Sequence, residues 1–369
     1  MKNIFRVALV ALHFSEYSLN LALALARNNK VLLVLSEENA RAEIAAERLV
    51  DSPNLQIALV ETARSFSGVF SCAKEISSIV RQFKPNILHC QEAIQIGLLL
   101  AMFRLRGYPL AVTSHDPTPH SGDEVWSLST FRRLAALRFW RSQADVLLTH
   151  GEVLAAQLLT AYPKSAGRIF SVPHGPLGGL RSTDQSVSGN FLFFGRVQKY
   201  KGLVFFMEAI ERLHAEGLEV KGVIAGRGPD LEPYRSRVSA HPAFELNERF
   251  IREEELPGFF GRAQAVVLPY TDGTQSGVAA MALGYGRAVV STRVGSVQEM
   301  VRDGDNGILV PPCDVNALTN ALRRIIKEPA TAYAMGERSY ALGQGELSWA
   351  RNAEISGQAY AKALSLRAR

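Results

Sequence analysis

Short apolar runs alternate with stretches of helical period along the whole chain. In the first half the runs occupy residues 6–12, 31–35, 55–60, 86–90, 110–114, 145–149 and 168–172. In the second half they occupy 191–195, 220–225, 243–250, 265–269, 288–292 and 307–310. Runs this short, apolar without alternation and spaced by helices, predict parallel strands covered on both faces. Two such series predict an α/β protein built of two doubly wound, Rossmann-like domains. Beyond the last run the pattern turns helical, over 317–327, 332–342 and 350–366.

The stretch from Gly178 to Gly189 is polar, rich in glycine and serine and without period, as a linker is. The expected organisation is a first domain over 1–178, a linker over 179–189 and a second domain over 190–345. A terminal helix over 346–369 either continues the second domain or crosses back to the first.

A length of 369 residues with 47% hydrophobic content suffices for two cores. The net charge of +6 suits anionic ligands or an anionic membrane surface. It is too diffuse for nucleic acid, and no RNP-like aromatic pattern or recognition helix supports that reading. Cys72, Cys90 and Cys313 stand far apart with no histidine at ligand spacing, which argues against a disulfide framework or a zinc site and fits a reducing cytosol. The apolar start reaches Ser15-Glu16 without a cleavage pattern and reads as a first buried strand rather than a signal peptide. The longest apolar stretch, near 94–103, is too short to span a bilayer. The expected location is the cytoplasm, either free or peripheral on the inner face of the membrane.

Several strand ends in the second half open through small residues into helices, where α/β sheets collect anions. Gly195-Arg196 with Lys201-Gly202 suits a diphosphate, arginine offering a rigid donor fork and lysine a point charge; a solvated loop with two surface cations is the plainer reading. Gly226-Arg227-Gly228-Pro229 reads as a tight turn with Pro229 opening a helix, its backbone lining the pocket. Gln275-Ser276-Gly277-Val278 begins a helix whose N–H groups can approach a phosphate, with Asp272 upstream for sugar hydroxyls; simple N-capping by Thr274 or Ser276 is compatible with this. Gly295 to Glu299 repeats the pattern.

In the first half, His89, His115 and His150 end successive runs. A histidine there is commonly structural, but His115, followed by Asp116, is the one expected to face a ligand. Residues 131–141 carry Arg132, Arg133, Arg138 and Arg141 and no acid. They form either an interfacial helix for anionic lipid or a helix capping the core.

Taken in order, these motifs resemble the nucleotide-sugar domain of family 4 (group 1) retaining glycosyltransferases of GT-B architecture, over roughly 190–330. Phe194 to Val197 with Lys201-Gly202, Ala225 to Pro229, 265–269, the Gln-Ser-Gly-Val stretch, 286–290, 295–299 and 305–311 carry the likeness. The first half matches more faintly, through Thr113-Ser114-His115-Asp116 and Val172-Pro173-His174-Gly175. The resemblance implies two domains facing across a cleft, and gives Arg196, Lys201 and the backbone of Ser276, Gly277 and Val278 to the donor diphosphate. Gly195, Gly226, Arg227, Asp272 and Gln275 line the same donor site, and the segment from Asn247 to Ile251 lies near the base. His115 faces the transferred sugar, with Asp116 orienting it or the acceptor. The chain departs from the family where two glutamates are usual, offering Met281 and Asp272, and shows His13-Phe14-Ser15 in place of a glycine pair.

The expected activity is transfer of a hexose, with retention, from a UDP- or GDP-linked sugar to a glycan or polyprenol-linked acceptor in bacterial polysaccharide or glycoconjugate assembly. No metal and no cofactor are expected, and the nucleotide sugar is a substrate. A nucleotide-sugar 2-epimerase or hydrolase, or a non-catalytic nucleotide-sugar-binding subunit, is the alternative.

Overall fold

A computed structural model describes residues 4–62, 65–92, 94–116, 128–178 and 186–368, with the side chains of 66 and 128–133 left aside. The chain divides into two compact units, one ending at Gly175 and recruiting the helix from Trp349 onward, the other running from Pro176 to Ser348.

Strand and helix alternate in the first unit as β1 (Arg6–Ala11), α1 (Ser15–Ala26), β2 (Lys30–Ser36), α2 (Glu37–Glu43), β3 (Leu55–Val60) and α3 (Phe66–Phe83). Then come β4 (Ile87–Gln91), α4 (Ile96–Arg104), β5 (Leu110–Ser114), α5 (Leu128–Gln143), β6 (Val146–His150), α6 (Glu152–Ala161) and β7 (Ile169–Val172). The strands form one sheet in the order β3-β2-β1-β4-β5-β6-β7, parallel throughout. Strand order reverses between β1 and β4, so the loops after Ala11 and Gln91 diverge at their carboxyl ends, where open α/β sheets bind ligands.

The second unit repeats the plan with β8 (Asn190–Phe194), α7 (Leu203–Ala215), β9 (Lys221–Ala225), α8 (Arg235–Ala240), β10 (Phe244–Asn247) and α9 (Leu256–Arg262). It continues with β11 (Ala265–Leu268), α10 (Gly277–Gly284), β12 (Ala288–Thr292), α11 (Val297–Met300), β13 (Gly307–Val310), α12 (Val315–Lys327) and α13 (Pro329–Gln344). The sheet order is β10-β9-β8-β11-β12-β13. Its reversal lies between β8 and β11, which register only through Phe191 with Ala265 and Leu192 with Val266. Apolar clusters cover both faces, one around Phe193, Phe206 and Ile210, the other around Leu192, Phe260 and Tyr285. Burying each such phenylalanine contributes about 1.5–3 kcal/mol.

The run expected as a strand over 243–250 stops at Asn247. Its carbonyl accepts the Gly226 N–H at 3.0 Å, and Glu248 and Arg249 turn outward to pair with Arg235 and Glu255.

The terminal helix α14 (Trp349–Arg367) packs in the first unit, on α1 and on β5, β6 and β7. Ala359, Tyr360 and Ala363 are fully buried. Asn352 donates to the Pro173 carbonyl at 2.8 Å, and the Tyr360 hydroxyl meets His89 Nδ1 at 2.7 Å. His89 is thereby a satisfied interior residue, since its Nε2 meets Thr113 Oγ1, also at 2.7 Å.

Two of the four arginines in the stretch 131–141 have described side chains. Arg141 is buried, 5% exposed, its guanidinium bound to both Glu92 carboxylate oxygens at 2.8 and 3.2 Å, to Ser114 Oγ at 3.1 Å and to the Asp116 carbonyl at 2.8 Å. Arg138 is exposed; the side chains of Arg132 and Arg133 lie outside the described residues. No helix among the described residues is long and apolar enough to cross a membrane.

Replacing Tyr360 by Phe strands His89 Nδ1 in the interior. The expected loss is about 1–3 kcal/mol, read as a lower urea midpoint at unchanged slope.

Candidate functional site

In the second unit the site is built from loops at the carboxyl ends of β8, β9 and β11. Gly195 has φ 98° and Gly226 φ 141°. A Cβ on Gly226 would lie 2.0 Å from the Gly195 carbonyl oxygen, and one on Gly228 2.0 Å from that of Val197. The two loops are zipped by Gly195 N–H to Ala225 O and Val197 N–H to Arg227 O, at 2.9 and 3.1 Å. Gly202 (φ 69°) packs against Pro269 in the same manner. This contact of main chain on main chain brings Arg196, Lys201 and Arg227 to neighbouring loops.

Arg196 and Arg227 are exposed and Lys201 is half-buried. Among the described residues none of the three has an ion-pair partner, whereas Arg235, Arg237, Arg249, Arg302 and Arg323 of the same unit all engage carboxylates. Burial, with the Arg196 charge adding to it, pushes the Lys201 ammonium down to about 8. Its Nζ lies 5.7 Å from the centroid of the Tyr270 ring.

Ser276 caps α10 by accepting the Ala279 N–H at 3.1 Å, and its hydroxyl meets the Tyr270 hydroxyl at 3.2 Å. The capping and anion-binding readings therefore coexist, because Gly277 and Val278 open the helix with N–H groups that no preceding turn can accept. Gln275 Oε1 is buried without a partner. Asp272 accepts the Gly273 N–H at 2.8 Å. Gly295, with φ 49°, brings its loop against the Gly273 carbonyl, and Ser296 bonds Thr274 O through both N–H and Oγ at 2.8 Å. Gly226-Arg227-Gly228-Pro229 is the tight turn expected, opening a 3₁₀ turn over Pro229–Tyr234.

Ile251 is 7% exposed and sits in the apolar cluster. Met281 packs on the same cluster, as a thioether does and a glutamate would not. A cleft of about 560 Å³ lined by Asn190, His214, Lys221 and Arg262 opens in this unit. It lies at the amino ends of β8 and β9, away from the edge where such sheets bind ligands.

In the first unit, the carboxyl edge gathers His115, His150 and His174, whose rings stand 4.9 Å apart in succession. Tyr17 meets all three edge-on at 5.2 Å. His115 is not the open residue the sequence suggested. It is 3% exposed, and Phe14 stacks on it at 4.0 Å. Phe14 holds φ 59° and ψ 49°, a left-handed conformation costly for a side-chain-bearing residue. The hydrogen bond that orients the His115 ring runs from its Nε2 to Gln91 Oε1 at 2.7 Å. Asp116 acts on it through charge and is itself anchored by Arg141 at its carbonyl. Nδ1 of His115 is buried without a hydrogen-bond partner among the described residues.

Sequence reasoning missed Gln91 and Tyr17. The parallel register pairs Gln91 with Thr113, so Gln91 reaches His115 by the same diagonal step that joins His89 to Thr113. The matching alternation His89-x-Gln91 and Thr113-x-His115 is the signal present in the sequence.

Fold and loops together define a protein of two Rossmann-like units, the second carrying cations on glycine-framed loops at its sheet's carboxyl edge. A family model described as Glycosyltransferase Family 4 matches residues 15–175, and one described as Glycosyl transferases group 1 matches residues 188–328. The chain belongs to this family of glycosyltransferases. It is 23% identical over 292 residues to a Mycobacterium tuberculosis glycogen synthase, covering 76% of this chain and 69% of the relative. Sucrose-phosphate synthase from Thermosynechococcus elongatus superposes with TM-score 0.72 at 19% identity, over 98% and 99% of the two chains. The Anabaena protein Alr3699/HepE, solved in complex with UDP-glucose, superposes with TM-score 0.68 at 15% identity, also over 98% and 99%. These likenesses fix the fold as GT-B.

The buried histidines set an acid limit. Burial holds His89 and His115 down to about 3 and His174 down to about 4, and lowers His150. Unfolded, each titrates near 6.5. Above that pH both states are neutral and nothing is lost. As pH falls from 6.5 toward 4, the unfolded chain takes up protons the folded chain refuses. Each histidine then removes up to about 1.4 kcal/mol per pH unit. The urea midpoint is expected to be clearly lower at pH 5.5 than at 7.5; equal midpoints would mean the imidazoles are charged in the fold.

Proposed function

We propose that this glycosyltransferase moves a hexose, with retention, from a UDP- or GDP-linked sugar to a hydroxyl of a glycan or polyprenol-linked acceptor. The reading places it in bacterial polysaccharide or glycoconjugate assembly, in the cytoplasm or at the inner face of the membrane. The single observation that carries it is the cluster of Arg196, Lys201 and Arg227. Among the described residues these three cations stand without carboxylate partners, on glycine-framed loops beside the point where the second sheet reverses order. Cations left uncompensated cost folding energy, and a diphosphate returns it.

In this reading Arg196 and Lys201 meet the charge that develops on the departing diphosphate. Gly195, Gly226 and Arg227 shape the loops beneath it, and the amides of Ser276, Gly277 and Val278 add the positive end of α10. Clamping the leaving group this way needs no metal and no cofactor. Asp272 and Gln275 offer acceptors to the sugar and ribose, and the main chain at Ile251 borders the base. His115 contacts a sugar hydroxyl; Asp116 tunes it electrostatically. The solved Alr3699/HepE complex with UDP-glucose supports a nucleotide-sugar donor on this fold, and the glycogen synthase relative supports a glycan acceptor.

A screen of nucleoside diphosphate sugars for diphosphate release tests the reading. With the donor so found, Arg196→Ala and Lys201→Ala should each lower turnover about a hundredfold or more, the scale of one lost oxyanion donor. Full turnover in both variants would sink the assignment. Rapid conversion of donor without acceptor would point instead to an epimerase or hydrolase.

Lys201 adds a pH signature. Because its ammonium is held down to about 8, the free enzyme loses that charge as pH rises through 8. Donor kcat/KM should then fall on the alkaline side, since this parameter reports the free enzyme. Lys201→Arg, charged throughout, should remove that limb even where it lowers the rate.

A further inference from the structure

Gln91 closes β4 with no exposed surface, and its amide oxygen is 2.7 Å from His115 Nε2. A carboxamide oxygen only accepts, so the hydrogen between them belongs to the imidazole. A neutral imidazole with its hydrogen on Nε2 carries a bare lone pair on Nδ1. That atom is buried and has no hydrogen-bond partner among the described residues. Phe14, stacked on one face at 4.0 Å, and Tyr17, edge-on at 5.2 Å, fix the plane of the ring. An acceptor so isolated matches a hydroxyl donor, and a sugar presents hydroxyls.

We propose that Gln91 is the positioning residue for His115. It fixes the Nε2–H tautomer and turns Nδ1 into an acceptor for a hydroxyl of the bound sugar. The inference rests on the glycosyl-transfer reading for the identity of the hydroxyl, and on the chain alone for the tautomer. The groups facing the ring are Tyr17 from α1, His150 from β6, His174 after β7, His89 from β4 and Asp116 beside it. Of these only Asp116 is anionic, and burial outweighs it, keeping the imidazole neutral through the working range.

Nitrogen NMR of the unliganded protein, labelled at histidine and with the His115 signals identified by their loss in His115→Gln, reads the tautomer directly. The expected spectrum has a pyridine-like Nδ1 and a pyrrole-like Nε2; the reverse would overturn the proposal. Gln91→Glu keeps an acceptor at Nε2 but adds a negative charge that favours the imidazolium, whose Nδ1–H cannot accept. Its kcat/KM should therefore acquire an acid limb between pH 5 and 8 that the wild type lacks, with the wild-type profile regained above it. A profile identical to wild type would also overturn the proposal. Gln91→Leu should lower kcat/KM about tenfold through loss of one neutral hydrogen bond, with mixed tautomers in the spectrum. A normal wild-type spectrum in a protein that transfers no sugar would defeat the functional reading and leave the tautomer standing.

Discussion

The geometry of the second unit depends on places where no Cβ fits. Gly226 lies against the Gly195 carbonyl, Gly228 against that of Val197 and Gly202 against that of Pro269, each at a distance any side chain would violate. Because these are main-chain contacts, neighbouring side chains cannot relax to relieve them. The loops after β8, β9 and β11 consequently occupy one arrangement, and the cations they carry are arranged before any ligand arrives. Preorganised charge of this kind acts at full strength because no reorganisation is needed at the moment of reaction. Its cost appears in Lys201, whose ammonium is disfavoured by burial and by Arg196.

The first unit solves a different problem. Its carboxyl edge is filled with aromatic and imidazole rings kept neutral by burial, held from behind by α14 through Asn352, Tyr360 and the ring of Trp349 against Tyr17. A neutral imidazole is a hydrogen-bonding group without a net charge to desolvate, so it can sit in an apolar setting at small cost. Where Arg141 and Glu92 do bring charge inside, they bring it as a bidentate pair with further partners at Ser114 and Asp116. Breaking either member would leave the other buried and uncompensated. One unit thus presents uncompensated charge at its surface, and the other buries neutral polarity.

Every strand was legible in the sequence because a strand buried on both faces leaves an unbroken apolar run. Glycine-marked turns were legible for a related reason, since only glycine tolerates those φ values and approaches. Side-chain partnership was less so. Whether His89, His115 or His150 had a satisfied ring depended on diagonal contacts between β4 and β5 and on Tyr360, hundreds of residues away in sequence. Arg141 looked like its neighbours in an arginine-rich stretch, yet its position in the last turns of α5 drives it to Glu92. Helical period alone could not separate it from the exposed Arg138. Phe14 was visible as a departure from glycine, but its ring lying on His115 follows from a left-handed backbone no pattern announces.

The same logic bears on Met281. α10 reads Gly-Val-Ala-Ala-Met-Ala-Leu-Gly, without a titratable group, and Met281 turns into the apolar cluster beside Tyr285. A glutamate at this point would need a partner for its charge or would protonate; methionine needs neither and adapts to the gap. The helix is therefore given over to packing and to its N-terminal amides. If the donor's hydroxyls are to be recognised on this unit, the groups available are those ahead of the helix, Asp272 and Gln275. Of the two, Gln275 carries a buried oxygen with no partner among the described residues. An unpaired buried acceptor is discriminating, because a ligand lacking the matching donor leaves it unsatisfied. On the proposed reading, recognition of hydroxyls would fall to Asp272 and Gln275 ahead of the helix, and the charge of the donor to Arg196, Lys201 and Arg227.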